Sequence, residues 1–183
     1  MAGPTIRWRD DVTLGPLLPD CAERMFRWMS DPAVSGNVGL RTAASLERTL
    51  AWIEDAARDP TMRAFAILLA GRHVGNVVLD RIDTRLGTAR FSIYIGEPEA
   101  RAIGVGFTAT GLALKTAFHE LGLYKVWLTV HNRNARAIQT YLNAGFRTEG
   151  VLRGEFLLDG ARLDACYMGI LACEFTASSA PPA

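Results

Sequence analysis

The sequence FSIYIGEPEARAIGVGFTATGLALKTAFHEL, from Phe91 to Leu121, decides the fold. Alternating apolar residues predict a strand that ends near Ile95, and a wide apolar face over 104–121 predicts a long helix. Gly104 and Gly106 lie at the turn between them, where they let a ligand approach the backbone without meeting a Cβ atom. The unpaired amides of the first helical turn would suit a pyrophosphate, with Arg101 beside them.

The same glycine pair is equally compatible with a plain strand-to-helix turn that binds nothing. A full G-x-G-x-x-G fingerprint is absent because residue 109 is Ala, and the P-loop pattern with Lys and Ser or Thr is absent too. The turn alone therefore does not indicate whether the protein binds a ligand, and further motifs elsewhere in the chain are needed.

The composition is that of one ordinary soluble domain. The chain has 183 residues, of which 49% are hydrophobic and 21% charged, enough for a single sizeable core. A net charge of +1 argues against a dedicated binder of nucleic acid or of an acidic membrane. The three cysteines lack metal-ligand spacing, and no signal peptide or apolar membrane span is visible. We therefore expect reduced thiols, no metal and a cytoplasmic location.

Upstream of the central stretch, the pattern changes from helical to strand-like near residue 64. A first strand at 12–18 is expected either to lie at a sheet edge or to end early, because it contains Pro16. The D-x-x-E sequence at 20–23 predicts a capped helix that runs to Met29 and stops before Pro32. A loop over 35–39 and a second helix capped by Thr42 follow, and then a β-hairpin with strands at 65–69 and 74–79.

Downstream, the chain predicts a strand at 124–130 that runs parallel to its predecessor, because a helix connects the two. A helix over 134–143 precedes two strands, 146–156 and 163–170, joined by a hairpin turn at 158–160. Residues 1–11 are expected to be a loose leader and 176–183 a disordered tail. This order predicts one α/β domain, residues 1–175, built on a single mixed sheet.

Several motifs together resemble the GNAT acetyltransferase superfamily, in particular its RimJ/RimL-type branch. RAIGVG at 101–106 matches the family's Q/R-x-x-G-x-G/A pattern, and 134–150 matches N-x-x-A-x-x-x-Y-x-x-x-G-F-x-x-E-G. Trp28-x-x-Asp31-Pro32 and Gly160-x-x-x-Asp164 agree as well. The resemblance implies the GNAT fold: a twisted, mostly antiparallel sheet of about seven strands with about four helices and a central splayed parallel pair, α/β or, in some schemes, α+β.

The resemblance also implies acetyl-CoA as cofactor, with coenzyme A as product. The pyrophosphate would lie on the amides of 103–107, and the pantetheine arm would pair with the backbone of 93–95. The implied cofactor-binding residues are Ile93, Tyr94, Ile95, Arg101, Ala102, Ile103, Gly104, Val105, Gly106, Phe107 and Asn134. For Asn134 the alternatives are a bond to the pantetheine and a purely structural N-cap, and the two roles are compatible.

Three residues are candidates for catalysis of acetyl transfer to a primary amine. A neutral amine must attack, so the site needs a base or a proton-conducting water. Glu97 is either that base or a solvated loop carboxylate, and His131 is either the base or a strand-end histidine bonded to the backbone. Tyr141 matches the family position of the proton donor to the leaving thiolate, and its alternative is a packed core residue.

The acceptor is expected to lie under the first half of the chain. Asn37, Arg41 and the hairpin 157–162 are the candidate lining residues. The preferred acceptor is a small molecule or amino sugar, including antibiotics and nucleotide-linked sugars, attacked directly in a ternary complex. A protein N-terminus and a non-catalytic acyl-CoA sensor are the alternatives, and a polyamine is less attractive because the surface has no strong acidic bias. The final strands could also form a homodimer.

Overall fold

The computed structural model describes residues 8–38, 43–158 and 160–175. In these ranges the chain forms a seven-stranded mixed sheet with the order β1-β2-β3-β4-β5-β7-β6. The strands are β1 (Val12–Pro16), β2 (Arg63–Leu69), β3 (Arg72–Asp83), β4 (Thr88–Ile95), β5 (Lys125–His131), β6 (Arg147–Leu158) and β7 (Ala161–Leu171). The α-helices are α1 (Ala22–Met29), α2 (Pro32–Val38), α3 (Leu46–Arg58), α4 (Val105–Lys115) and α5 (Ala135–Asn143), and a π-turn (Thr116–Glu120) extends α4. The predicted fold class is confirmed.

The parallel pair of strands, β4 and β5, touches at only one end. Three pairs of residues face each other across it: Thr88 with Lys125, Ala89 with Val126, and Arg90 with Trp127. Beyond Arg90, β4 continues to pair with β3 and β5 with β7, but no further β4–β5 pair forms among the described residues. The strands therefore diverge as predicted, and the space between residues 91–95 and 128–131 is hereafter the cleft.

The two faces of the sheet are packed differently. On one face, α4 and α5 cover the main core, which includes Phe91, Val126, Leu128, Met168 and Ile170. On the other face, α1 and α3 cover the β1–β4 half through a second apolar cluster that includes Trp28, Ile53 and Ala66. Strand β4, which forms one wall of the cleft, is therefore also the last strand of the half-sheet that α1 and α3 cover.

Local predictions near the first helices need correction. Residues 19–21 form a 3₁₀ turn, and α1 begins at Ala22 without a side-chain cap, so the predicted capping box at 20–23 is wrong. Most of the predicted loop over 35–39 is helical instead, because Pro32 is well suited to a first helical position and starts α2. Thr42 lies outside the described residues, and Ser45 caps α3 by accepting a hydrogen bond from the Arg48 amide.

The later elements follow the predicted order closely. The strand β3 runs four residues further than its apolar run indicated, and Asn134 caps α5 as expected, by accepting a hydrogen bond from the Ala137 amide at 3.1 Å. Pro16 is the last residue of β1, which is an edge strand. Within the described residues, none of the helices has the length and apolar character needed to cross a membrane.

Candidate active site

The glycine turn lies at the open end of the cleft. Gly104 is the N-cap of α4 and has a φ of 90°, in the left-handed region that favours glycine. The side chains of Val105 and Phe107 are buried beneath the turn, so these residues can offer a ligand only their amides. A Cβ atom added at Gly106 would have Ile95 as its nearest neighbour, at 3.9 Å. The turn and the end of β4 are therefore adjacent.

Arg101 joins the turn to the end of β4 through its guanidinium. Its Nε donates to the Ile95 carbonyl at 3.0 Å, and its Nη2 donates to the Gly96 carbonyl at 2.7 Å. Ala102 follows with a φ of 65°, which marks the strained start of the turn. Arg101 thus fixes where the turn lies relative to the cleft, in addition to carrying a positive charge beside it.

A second arginine beside the turn comes from a segment that sequence reasoning assigned to a loose leader. Arg9 donates from Nη1 to the Ile103 carbonyl at 3.1 Å, and its amide donates to Thr108 Oγ1 at 3.1 Å. Its neighbour Trp8 stacks on Phe107 with ring centroids 4.6 Å apart. No local pattern signals this contact, because it joins residues about a hundred positions apart.

The cleft side of β4 offers backbone groups, while its side chains are engaged elsewhere. Tyr94 lies on the face opposite α4, where its hydroxyl accepts a hydrogen bond from Asn76 Nδ2 at 2.9 Å. Asn76 Oδ1 lies 2.6 Å from His73 Nε2. Burial raises the pKa of the Tyr94 phenol far above its ordinary value. Ile93 and Ile95 pack against the main core, so the three residues would meet a pantetheine arm through their backbone.

Tyr141 projects from α5 into an aromatic group at the closed end of the cleft. Its ring lies edge-on to that of Phe91, with centroids 6.0 Å apart, and also contacts Phe146. The side chain is buried, and burial raises the pKa of the phenol well above its usual range. The hydroxyl therefore keeps its proton at neutral pH, as a proton donor requires.

Glu97 is neither exposed nor loosely solvated, so the alternative of a solvated loop carboxylate is wrong. Its carboxylate accepts from Arg27 Nη2 at 2.5 Å and from Trp28 Nε1 at 3.2 Å. Arg72 Nη2 lies 3.2 Å from its second oxygen. This carboxylate links α1, β3 and the segment after β4, and its catalytic role stays a prediction.

His131 is the last residue of β5, at the open end of the cleft across from the end of β4. The ring is buried and meets Phe156 edge-on, with centroids 5.6 Å apart. Burial, together with the nearby charge of Arg133, lowers the pKa of the imidazole. The neutral form can accept a proton, which suits a base.

Comparisons with known proteins agree with this geometry. The family model for the acetyltransferase (GNAT) domain matches residues 11–147. This chain belongs to the GNAT acetyltransferase family. The predicted superfamily, its acetyltransferase class and acetyl-CoA as its cofactor are thereby confirmed at the level of the family.

Among its GNAT relatives are two bacterial spermidine N(1)-acetyltransferases. The Escherichia coli (strain K12) enzyme is 34% identical over 124 residues, which are 68% of this chain and 66% of that enzyme's length. The Vibrio cholerae enzyme is 33% identical over 118 residues, 64% of this chain and 68% of that enzyme. The V. cholerae spermidine N-acetyltransferase in complex with CoA and spermine has a TM-score of 0.86 at 25% identity, covering 91% of this chain and 99% of that structure.

The residues present fit the GNAT cofactor. In the turn at 103–107 two residues are glycines and the side chains of Val105 and Phe107 are buried, and Arg101 and Arg9 lie beside it. The side of β4 that faces the cleft lacks a strand partner beyond Arg90 among the described residues, which leaves it available for an extended ligand. Asn134 lies at the start of α5, after the last residue of β5, and serves at least as an N-cap.

Two of the predicted acceptor residues of this GNAT chain, Asn37 and Arg41, fall wholly or partly outside what the structure describes, whereas the hairpin 157–162 is described except for residue 159. Arg41 lies in the segment 39–42, and Asn37 belongs to α2 but its side chain is not among those described. The neighbouring backbone is informative, because a Cβ atom at Gly36 would lie 3.1 Å from Leu158 Cδ1. The helix α2 thus meets the β6–β7 hairpin.

Two contacts between residue pairs near the closed end of the cleft were not predicted from the sequence. Arg90 holds Asp80 with two hydrogen bonds, Nε to Oδ1 at 2.7 Å and Nη2 to Oδ2 at 2.5 Å. Trp127 is half-buried and stacks on Tyr167 with centroids 5.3 Å apart. The alternation in β4 placed Arg90 on the polar face, but no signal in the sequence says that the part of this face near Arg90 and Ser92 stays accessible to solvent.

Proposed function

We propose that this GNAT chain transfers the acetyl group of acetyl-CoA to the primary amine of a small molecule by direct attack in a ternary complex. The observation that carries the proposal is the adjacency of two features at one end of the sheet. The amide-bearing turn at 103–107 is tied through Arg101 to the last residues of β4, where the cleft is open. A pyrophosphate on the turn would leave its pantetheine arm at the mouth of the cleft.

Acetyl-CoA supplies the activated acetyl group as a thioester. The amides of the turn bind the pyrophosphate, and the free edge of β4 aligns the pantetheine arm along the cleft. A backbone amide of β4 near Tyr94 or Ile95 would donate to the acetyl oxygen as negative charge develops there. Tyr141, held beside Phe91, donates the proton that the leaving thiolate takes up.

His131 is the better supported of the two candidate bases. Its lowered pKa keeps the imidazole neutral at pH 7, and its position on β5 faces the cleft from the side opposite β4. The carboxylate of Glu97 already accepts from two residues of α1 and lies beside Arg72, so we assign it to holding α1 against β4. The base would receive the amine proton directly or through one water.

The acceptor class is supported by the relatives. The E. coli and V. cholerae enzymes are named for spermidine, and the V. cholerae structure contains spermine. These names support a small-molecule acceptor. Among small molecules, they favour a polyamine over an antibiotic or an amino sugar. The match to the E. coli enzyme spans 66% of that protein's length.

The alternatives are less well supported. A protein N-terminus, the acceptor that the RimJ/RimL-type branch suggests, needs an open groove, whereas α2 meets the β6–β7 hairpin. A non-catalytic sensor would not need Tyr141. We further propose a single domain over 1–175, a cytoplasmic location and self-association, since a V. cholerae relative forms a dodecamer.

The test is release of free thiol from acetyl-CoA by the purified chain. The panel contains spermidine, monoamines, amino sugars and short peptides with free N-termini, and acetyl-CoA binding is measured in parallel by calorimetry. Amine-dependent thiol release supports the proposal. Tight acetyl-CoA binding without release for any amine would contradict it and favour the sensor.

A further inference from the structure

The Asp80–Arg90 ion pair lies at the closed end of the cleft. The two residues face each other across β3 and β4, and Arg90 belongs to the last pair that β4 makes with β5. A strand rises about 3.3 Å per residue, so the four steps from Ile95 back to Phe91 span about 13 Å. An extended pantetheine arm that starts at the glycine turn and follows β4 would therefore run through the cleft toward Phe91 and Arg90, with its thioester between the turn and these two residues.

The side chain of Arg90 points to the face from which an acceptor amine can enter. Side chains alternate along a strand, so Arg90, Ser92 and Tyr94 share the face opposite the main core, whereas Phe91 belongs to that core. Trp127, the partner of Arg90 on β5, lies on the same face and is half-buried. Ser92 is exposed, so this face is accessible beside the cleft.

The ion pair leaves part of the guanidinium available. Asp80 takes Nε and one hydrogen of Nη2, which is one edge of the planar group. The other edge, formed by Nη1 and the second hydrogen of Nη2, makes no hydrogen bond among the described residues. It has the geometry that binds a carboxylate or a phosphate through two parallel hydrogen bonds.

In the Asp80–Arg90 pair, the arginine side chain is more exposed than the carboxylate. The side chain of Arg90 is 36% exposed and that of Asp80 13%. Glu97 follows the same arrangement, because its carboxylate is buried while Arg27 and Arg72 are more than half exposed. Lys125 and Glu149 form a third pair whose partners are both partly exposed. The additional ammonium groups of a polyamine would therefore meet guanidinium groups and compensated carboxylates near the cleft.

We propose that Arg90 binds an acidic group of the acceptor, a carboxylate or a phosphate, and that this chain acetylates acidic amines in preference to polyamines. The inference rests on the proposed acetyl transfer and narrows its acceptor, in contrast to the spermidine named for the relatives. Arg90 is a specificity residue here: it holds the remote end of the acceptor and takes no part in proton transfer.

The test uses acceptors of one length that differ only in charge. Initial rates are measured at several concentrations of 4-aminobutyrate, butylamine and 1,4-diaminobutane, with spermidine as the reference. Phosphoethanolamine and ethanolamine form a second matched set that separates phosphate from carboxylate recognition. The variants are Arg90→Gln, Asp80→Asn and, as a control, Arg85→Gln, which removes an exposed charge from the distant turn of the same β3–β4 hairpin.

We expect the unaltered chain to prefer the acidic member of at least one set by about tenfold or more in kcat/KM. Arg90→Gln should abolish this preference, mainly through KM, and raise kcat/KM for the diamine, because Asp80 is then free to bind an ammonium group. Asp80→Asn should keep or strengthen the preference, and Arg85→Gln should leave it unchanged.

A preference for spermidine or the diamine by the unaltered chain would overturn the inference while supporting the proposed acetyl transfer. If Arg90→Gln still shows a higher kcat/KM for the acidic amine, Arg90 is not the residue that binds the acidic group. If Arg90→Gln does not fold, Arg90→Lys replaces it: it keeps the charge but loses the two-pronged geometry, so an unchanged KM for acidic amines would count against the inference. Failure of every amine in all variants would contradict the proposed function itself.

Discussion

Tyr141 meets Phe91 edge-on, with ring centroids 6.0 Å apart and ring planes at 85°. Phe91 is the first residue of β4 beyond its last pair with β5. This contact brings α5 to the point where the parallel strands begin to diverge. The predicted proton donor therefore lies beside the cleft that is expected to hold the pantetheine arm, although Tyr141 and Phe91 are fifty residues apart.

The first prediction concerns the hydroxyl of Tyr141. Tyr141→Phe should lower kcat about 10²-fold, because general acid catalysis typically contributes that much or more. The affinity for acetyl-CoA should change little, since the aromatic contacts with Phe91 and Phe146 remain. Steady-state kinetics and calorimetric binding measure the two quantities. Tyr124→Phe, at an exposed tyrosine, is the matched control, and an unchanged kcat in Tyr141→Phe would leave Tyr141 with a packing role only.

The second prediction concerns the left-handed N-cap of α4. Gly104→Ala should weaken acetyl-CoA binding by tenfold or more, because the added methyl group and the altered φ disturb the amides of the turn. The strain should also cost about 1–2 kcal/mol of unfolding free energy. Gly122→Ala has a similar positive φ of 63° and open surroundings, so it should show the strain without the loss of binding. Equal affinities in both variants would argue against the pyrophosphate site.

The fold was predictable because its main signals are local. The alternation in β4, the glycine turn and the connecting helix together require a parallel neighbour in β5, and the structure has it. The cap of α3 was missed because Thr42 and Ser45 are both suitable residues, and only the structure shows that Ser45 accepts from the Arg48 amide. Local preference alone does not choose between two caps three residues apart.

The candidate site was only partly predictable, for a different reason. Backbone sites such as 103–107 carry a glycine signature, whereas Arg9 reaches the same turn through a hydrogen bond to the Ile103 carbonyl, 94 positions away. The Asp80–Arg90 pair could have been found from the hairpin register, since the two residues face each other on β3 and β4. Whether a ligand can reach this pair depends on which parts of the sheet the helices cover, and that coverage is a property of the whole fold.

The third prediction separates the two candidate bases. His131→Gln should lower kcat/KM by about 10²-fold at neutral pH and remove the acidic limb of the pH profile. Since the pKa of His131 is lowered, that limb should lie below the usual histidine range, which is near pH 6.5. Glu97→Gln should instead lower the unfolding free energy by about 1–3 kcal/mol, because charged donors lose their partner, and keep the acidic limb. A profile that loses its acidic limb in Glu97→Gln, but not in His131→Gln, would reverse the assignment.

The last prediction concerns acid stability. Burial lowers the pKa of His73 and outweighs the hydrogen bond with Asn76, which raises it; the nearby charge of Arg24 lowers it further, against smaller raising effects from Gly75 and Asp20. The unfolded chain therefore binds more protons than the folded chain once the pH falls below about 6.5, and stability declines from there toward the folded-state pKa. Urea unfolding at pH 7.5, 6.0 and 5.0 should show this decline.

His73→Gln should make the decline smaller, because an amide can still donate to Asn76 Oδ1 but cannot be protonated in the unfolded chain. His119→Gln, at an exposed histidine, serves as the control and should keep the decline of the unaltered chain. His131 has a lowered pKa as well, so the double variant His73→Gln/His131→Gln should have the flattest dependence. Parallel curves for His73→Gln and the unaltered chain would mean that carboxylates, and not the buried histidine, govern the acid response.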